Sequence, residues 1–268
     1  MISRFERTVN YAILLVFAAL VLMPLASIVA GAIAAPSAGA TGGIHLENFP
    51  AAWTQARFGR YMTNSFLVTG TVLAISVVVS TLAGFALGTM TFRGSGLLFY
   101  LFLLGIMVPA EAIVIPLFFD LRALGLTDTL LGVALPQIAQ STAFGTYWMR
   151  TYFRASNRSI SEAARIDGAG TIRTLWSIQL PVARPALVTL VVLLFMWTWN
   201  EFLIPLIMSP TGKMRTVPLG LAFFQGQHTV DHTLMAAAAV MVALPVVVVY
   251  LFLQRHFIRG MLEGAVRE

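Results

Sequence analysis

Residues 159–181 read Ser159-Ile-Ser-Glu-Ala-Ala-Arg-Ile-Asp-Gly-Ala-Gly-Thr-Ile-Arg-Thr-Leu-Trp-Ser-Ile-Gln-Leu-Pro181, a polar, basic segment between two strongly apolar ones. Ser159 and Glu162 have the spacing of a capping box, in which hydroxyl and carboxylate each satisfy the other's backbone N–H, so the spacing predicts a helix opening at 159. Ala163 and Ala164 extend it as strong helix formers, and Gly168 supplies the permissive backbone at which such a helix ends. A second short helix is expected around Leu175, Trp176 and Ile178, stopped by Leu180-Pro181, with Pro185 opening the next apolar span. Two short helices at a bend, held between apolar spans, make a docking element.

The surroundings of this element are those of a membrane protein. The 268 residues are 58% hydrophobic and 10% charged, with mean hydropathy +0.84, far from the usage of soluble domains. With no cysteine there is neither a disulfide framework nor a thiolate metal site. The net charge of +6 comes from basic residues scattered over short segments beside long apolar runs. That placement speaks for membrane orientation and against nucleic-acid binding.

The apolar runs predict an all-α polytopic fold with one transmembrane domain over residues 1–268. Its six spans are expected at about 11–35, 63–91, 97–119, 130–152, 185–208 and 234–253, with the docking element, 159–181, between the fourth and fifth. Ala32-Ile-Ala34 has the spacing of a leader cleavage site, but the run before it is long enough to span a bilayer and is read as an uncleaved first span. Residues 36–61 are read as an extracytoplasmic connection. Gly84 and Gly88 share a helical face and invite close approach, either inside the subunit or against a partner.

Arg4, Arg7, Arg93, Arg150, Arg154, Arg158, Arg165, Arg173, Arg184, Arg255, Arg259 and Arg267 then fall on one side of the membrane. Arg57, Arg60, Arg122, Lys213 and Arg215 fall on the other. The positive-inside rule makes the first side, with both termini and the docking element, cytoplasmic.

Polar residues inside the spans are candidates for a solute path. Glu111 lies between Pro109 and Pro116, which should bend or loosen the third span. An acid at mid-membrane costs about 2.5–3.5 kcal/mol on insertion scales, so it should face protein or water. The other reading is a glutamate, protonated or at the interface, that caps the loosened backbone near Pro109. Gln137, Gln140, Ser141 and Thr142 make the fourth span polar. The fifth carries Trp197-Thr-Trp199-Asn200-Glu201, whose flat rings and hydrogen-bonding groups suit sugar contact, helix packing or a gate. His228 and His232 would share a helical face, but neither His45 nor His256 suggests a third zinc ligand, so a polar loop is read there and no metal site. No Gly-x-x-x-x-Gly-Lys-[Ser/Thr] stretch exists, and no catalytic residue is assigned.

Glu162-Ala163-Ala164, Asp167-Gly168-Ala169, Ile178 and Leu180-Pro181 resemble the EAA loop of ABC importer permeases, in which a cytoplasmic coupling helix fits a cleft on an ATP-binding subunit. The aromatic expected at 175 stands one residue later, at Trp176. Asn64-Ser65 and Trp199 to Leu206 are similar to the carbohydrate-uptake, maltose-type branch, and Gly260 and Gly264 resemble the glycine-rich tail of the wider family, so the resemblance covers nearly the whole chain.

It implies a permease subunit, not an enzyme, in a bacterial or archaeal plasma membrane. Its implied partners are a second, non-identical permease, two ATP-binding cassette subunits holding ATP and Mg, and an extracytoplasmic substrate-binding protein. The implied solute is an oligosaccharide, a monosaccharide or a glycerol-phosphate type compound. The expected path or gate residues are Glu111, Gln137, Trp197, Trp199, Asn200 and Glu201. An alternative, an ion-coupled secondary transporter with proton sites at Glu111 and Glu201, leaves the docking element without a purpose.

Overall fold

The computed structural model describes residues 3–35, 43–156, 158–224 and 231–265, and every regular element among them is helical. In chain order these are α1 (Arg4–Ala32), α2 (Asn48–Gln55), α3 (Phe58–Thr89), α4 (Ser95–Met107), α5 (Ala110–Ala123) and α6 (Leu130–Ala155). There follow α7 (Arg158–Ile166), α8 (Thr171–Thr174), a π-helical turn (Leu175–Gln179), α9 (Leu180–Trp199), α10 (Leu203–Met208), α11 (Val217–Leu221) and α12 (His232–Ala265). Four helical stretches are long and apolar enough to cross a membrane, and the bent pair α4 and α5 makes a fifth if counted as one span. The polar α6 does not meet that standard of apolarity.

The chain divides into two compact units, Met1–Arg60 with Gly220–Pro245 and Tyr61–Leu219 with Val246–Glu268. In the first, α1 starts earlier than the expected residue 11 because Ser3 and Glu6 close a capping box: Ser3 Oγ accepts from Glu6 N–H at 3.1 Å, and Glu6 Oε2 accepts from Ser3 N–H at 2.7 Å. The connection after it contains a helix that the sequence reading missed, α2. The buried Asn48 carboxamide holds α2 by donating to the carbonyls of Ala32 and Ala34 at 3.0 Å.

The second unit has two apolar cores. Val68, Val72, Val114, Leu121, Val133, Ala134, Ile204 and Met208 fill the end where α3 and α6 begin. Phe85, Met149, Phe153, Leu175, Ala183, Leu190 and Leu194 fill the end where they finish. Along the whole crossing, α3 lies tightly on α6. A Cβ added to Gly84 would stand 2.5 Å from the Met149 Cβ and 2.8 Å from the Arg150 nitrogen, and one on Gly88 would stand 3.1 Å from the Arg150 carbonyl oxygen. The glycine pair therefore packs inside the subunit. Ser76 and Ser80 donate across the same seam to the carbonyls of Ile138 and Thr142, each at 3.4 Å. Arg150 lies 3.6 Å over the Phe99 ring and donates to the Leu87 carbonyl, joining α3, α4 and α6.

Two expected spans are broken. The stretch 97–119 is two helices at 98°, not one bent helix. Pro109 has no N–H to continue α4 and drives Val108 out of the helical region, to φ −76° and ψ 116°, so α5 starts anew with Pro109 as its cap. Pro116 stays within α5. The stretch 185–208 breaks at Asn200, where α9 ends and α10 begins three residues later. Asn200 donates from its side chain to the Met196 carbonyl at 2.8 Å, competing with the helical ladder, while Glu201 Oε1 accepts the Ile204 N–H at 3.0 Å and caps α10.

The fifth stretch also begins differently. Leu180-Pro181 does not stop a short helix: α8, the π-turn and α9 run on from Thr171 to Trp199. Leu180 N–H reaches the Leu175 carbonyl, a π-type bond that widens the turn ahead of Pro181, where an N–H is missing anyway.

Candidate functional site

Residues 159–181, expected from the sequence to be a docking element, are built around α7. Its first helical residue is Arg158, so Ser159 lies inside the first turn, and the residue before the helix is outside the described residues. Ser159 is therefore not the residue that precedes the helix, as the capping-box spacing had placed it.

The end of α7 is as the glycine requires. Gly168 has φ +76°, Asp167 N–H bonds to the Ala163 carbonyl, and Ala169 N–H bonds to the Ala164 carbonyl at 2.8 Å. This is a Schellman termination, which holds a fixed turn into α8. Ala164 is buried under the turn, while Glu162, Ala163, Asp167 and Gly168 are exposed. Leu175 is buried, Ile178, Leu180 and Ala169 are half-buried, and Pro181 is exposed.

The element is joined to the spans on either side. Trp148 Nε1–H donates to the Ala186 carbonyl at 3.0 Å and the Tyr152 hydroxyl to the Val182 carbonyl at 2.9 Å, tying α6 to the first turns of α9. Two apolar side chains that the sequence reading did not single out stand free on this polar surface, Ile166 at 86% and Ile172 at 76% exposure. They flank the Asp-Gly turn, and their contrast with the charged residues around them was the available signal. Beneath the element, Glu162, Arg154, Ser156, Gln179 and Thr171 line a cavity of about 560 Å³ against the end of α3.

A second cavity, of about 370 Å³, lies where the two broken spans meet. Val108, Pro109 and Glu111 come to it from the α4/α5 break, Trp197, Thr198 and Glu201 from the α9/α10 break, and Gln137, Gln140, Ser141 and Phe144 from the middle of α6. Non-helical backbone at membrane depth is tolerated where it lines a cavity or is enclosed by protein, which is the setting of both breaks.

Four of the expected path residues, Glu111, Gln137, Trp197 and Glu201, are thus brought together. Trp199 and Asn200 are not. The Trp199 ring is buried between Phe195, stacked at 5.5 Å, and Phe66, edge-on at 5.0 Å, and Asn200 serves its own helix end. Glu111 is in the first turn of α5 and makes no cap bond there. Trp197 is half exposed, with its ring edge-on to Phe144 at 4.6 Å. Gln137 is only 4% exposed: its Nε2 donates to the Val133 carbonyl at 2.9 Å, and its Oε1 has no partner.

On the far side of the same unit, loops are locked together. Asp128, at φ +61°, accepts from the Ser209 hydroxyl at 2.9 Å and from Thr211 N–H at 3.1 Å, while Ser209 accepts from Met214 N–H. Asn64 donates to the carbonyls of Lys213 and Arg215, and Ser65 accepts from Val217 N–H at 2.9 Å. The Asn64-Ser65 pair therefore pins the 209–217 loop to the start of α3. Of the histidine pair, His228 lies outside the described residues and His232 opens α12.

The family model described as "Binding-protein-dependent transport system inner membrane component" matches residues 80–263. The trehalose/maltose transport system permease protein MalG of Thermococcus litoralis is 34% identical over 212 residues, covering 78% of this chain and 76% of that protein. The diacetylchitobiose uptake system permease protein NgcG of Streptomyces coelicolor is 30% identical over 223 residues, covering 82% and 74%. Among solved structures, a chain of a bacterial ABC transporter involved in the import of the acidic polysaccharide alginate superposes with TM-score 0.81 at 25% identity, covering 96% of this chain and 99% of that one.

Proposed function

Because the chain belongs to the family of inner membrane components of binding-protein-dependent transport systems, we infer that it is the permease subunit of an ABC importer for carbohydrates. The observation that carries the mechanism is the rigid connection of one exposed knob to the two spans that wall the cavity. The knob, residues 159–181, ends α7 in a fixed Schellman turn and continues unbroken into α9. A push on α7 is then delivered to α6 and α9 through the Trp148 and Tyr152 bonds, and both helices carry cavity residues.

In this reading the knob seats on a cytoplasmic ATP-binding subunit, with Ile166 and Ile172 as its apolar contacts and Glu162 on its polar side. Two such subunits bind ATP and Mg, and closure of their dimer moves the knob as one body. A second, non-identical permease completes the path, an extracytoplasmic binding protein delivers the solute, and both termini face the cytoplasm. The cavity of Glu111, Gln137, Trp197 and Glu201 is this subunit's share of the path, and access to it alternates as the helices rock. The six-span count takes α4 and α5 as one broken span and α6 as another. A proton-coupled carrier is the weaker reading, since Glu201 already has a structural duty as the cap of α10.

The test is uptake and assembly of two variants. Gly168→Pro forces φ near −65° where the turn needs a positive angle, and Glu162→Lys reverses the charge on the knob. Both are expected to abolish uptake and release the ATP-binding subunits on purification while leaving membrane insertion intact. Normal uptake by both would refute coupling through this element.

A further inference from the structure

We propose that the cavity between the broken spans selects for neutral, polyhydroxylated solutes and turns away anionic ones; this deepens the carbohydrate reading and rests on the cavity being the path. Its walls hold two carboxylates, Glu111 and Glu201, two carboxamides, Gln137 and Gln140, the Ser141 hydroxyl and the Trp197 ring. Among the described residues lining it there is no arginine, lysine or histidine. A uronate or phosphate group entering here meets two carboxylates and no cationic side chain from this subunit. Two carboxylates on one wall, Glu111 exposed and Glu201 half-buried, repel an anion and leave a neutral solute unaffected, so the penalty falls on anions alone.

A second observation points to the ligand. Gln137 Oε1 is a buried acceptor without a donor, in a residue whose amide nitrogen is already engaged with the Val133 carbonyl. A buried unpaired acceptor is costly, and a hydroxyl donor from the solute relieves the cost. Carboxylates are acceptors only and take hydroxyl donors equally well. The half-exposed Trp197 ring, held edge-on by Phe144, offers an apolar face to the C–H side of a sugar ring. Acceptors in excess, one flat apolar face and no countercharge match a sugar with free hydroxyls and no acid group.

The experiment uses the purified membrane complex, this chain with its natural partner permease and ATP-binding subunits, freed of the solute-delivering binding protein. Tryptophan fluorescence is titrated with neutral di- and trisaccharides of the gluco, xylo, galacto and N-acetylglucosamine types, and with the corresponding uronic-acid oligosaccharides. At least one neutral saccharide is expected to bind, and to bind about tenfold or more tightly than any acidic one. In Glu111→Gln with Glu201→Gln that preference should shrink to about threefold or less, with the assembly and unfolding temperature of the variant complex as the check on folding.

Binding of no neutral saccharide, equal or tighter binding of uronic-acid oligosaccharides by the unaltered complex, or an unchanged preference in the double variant would overturn the proposal. Failure of the path itself reads differently: it is shown by Gln137→Trp, which fills the cavity, leaving uptake intact. Blocked uptake in Gln137→Trp with no charge preference overturns the selectivity alone.

Discussion

At Gly84 two helices touch with no room for a Cβ, and at Gly88 a Cβ fits only if its neighbours yield by a few tenths of an ångström. A side chain at 84 would have to displace Met149 and the backbone of Arg150, neither of which is a flexible end. Gly84→Leu is therefore expected to cost at least about 1–3 kcal/mol of packing and to lower the thermal stability of the purified subunit, measurable as a fall in its unfolding temperature. Stability equal to that of the unaltered chain would argue against the close crossing. The glycine spacing was legible in the sequence, but which surface it served was not, because spacing on one helix does not name the helix opposite. Ile166 and Ile172 were missed for a related reason: an isoleucine in a mixed segment reads as core until the fold shows it uncovered.

At the scale of elements, the breaks matter more than the helices. Hydropathy located the apolar stretches well, since it depends only on composition. It could not see that Pro109 turns its helix through 98° whereas Pro116, Pro181 and Pro185 are accommodated in place. The outcome depends on what takes up the missing bond: a π-turn before Pro181, nothing before Pro109. The helix α2 was hidden likewise, because its anchor is the distant pairing of Asn48 with the end of α1.

The loop junction at Asp128 carries its own prediction. Desolvation, the largest single influence, pulls this carboxyl's pKa up, but the hydrogen bonds from Thr211, Ser209 and the Lys213 backbone together outweigh it, and the net displacement is downward. A lowered folded pKa means that the stabilisation is present above the unfolded value, about 3.9, and is lost as pH falls through the folded one. Asp128→Ala should loosen the junction by about 1–3 kcal/mol at neutral pH, seen as faster amide exchange in residues 209–216. Unchanged exchange there would show that the carboxylate does not hold the loop.

For the whole molecule, the orientation derived from the arginines is open to direct labelling, since the chain has no cysteine of its own. Ala163→Cys, exposed on the knob, is expected to react with a membrane-impermeant maleimide only in inside-out vesicles. Ala123→Cys, exposed at the end of α5, is expected to react only from the opposite side. Labelling of residue 163 from outside would place the knob out of reach of any cytoplasmic ATPase and end the coupling mechanism. The family was legible because its residue spacings are specific, and so was the glycine turn at 168, whereas the start of α7 and the unbroken run through Pro181 were not. The cavity was legible only as a set of separate polar residues, since its walls meet through chain breaks far apart in sequence.

The polarity of α6 bears on how the chain is made. A helix carrying Gln137, Gln140, Ser141 and Thr142 gains little by entering lipid alone, unlike α1 or α3. During synthesis the insertion machinery must therefore keep this segment sheltered until earlier helices can receive it, with the α3 serines and glycines as its landing surface. A chain with a larger residue at 84 should stall at that stage and be cleared by membrane proteases.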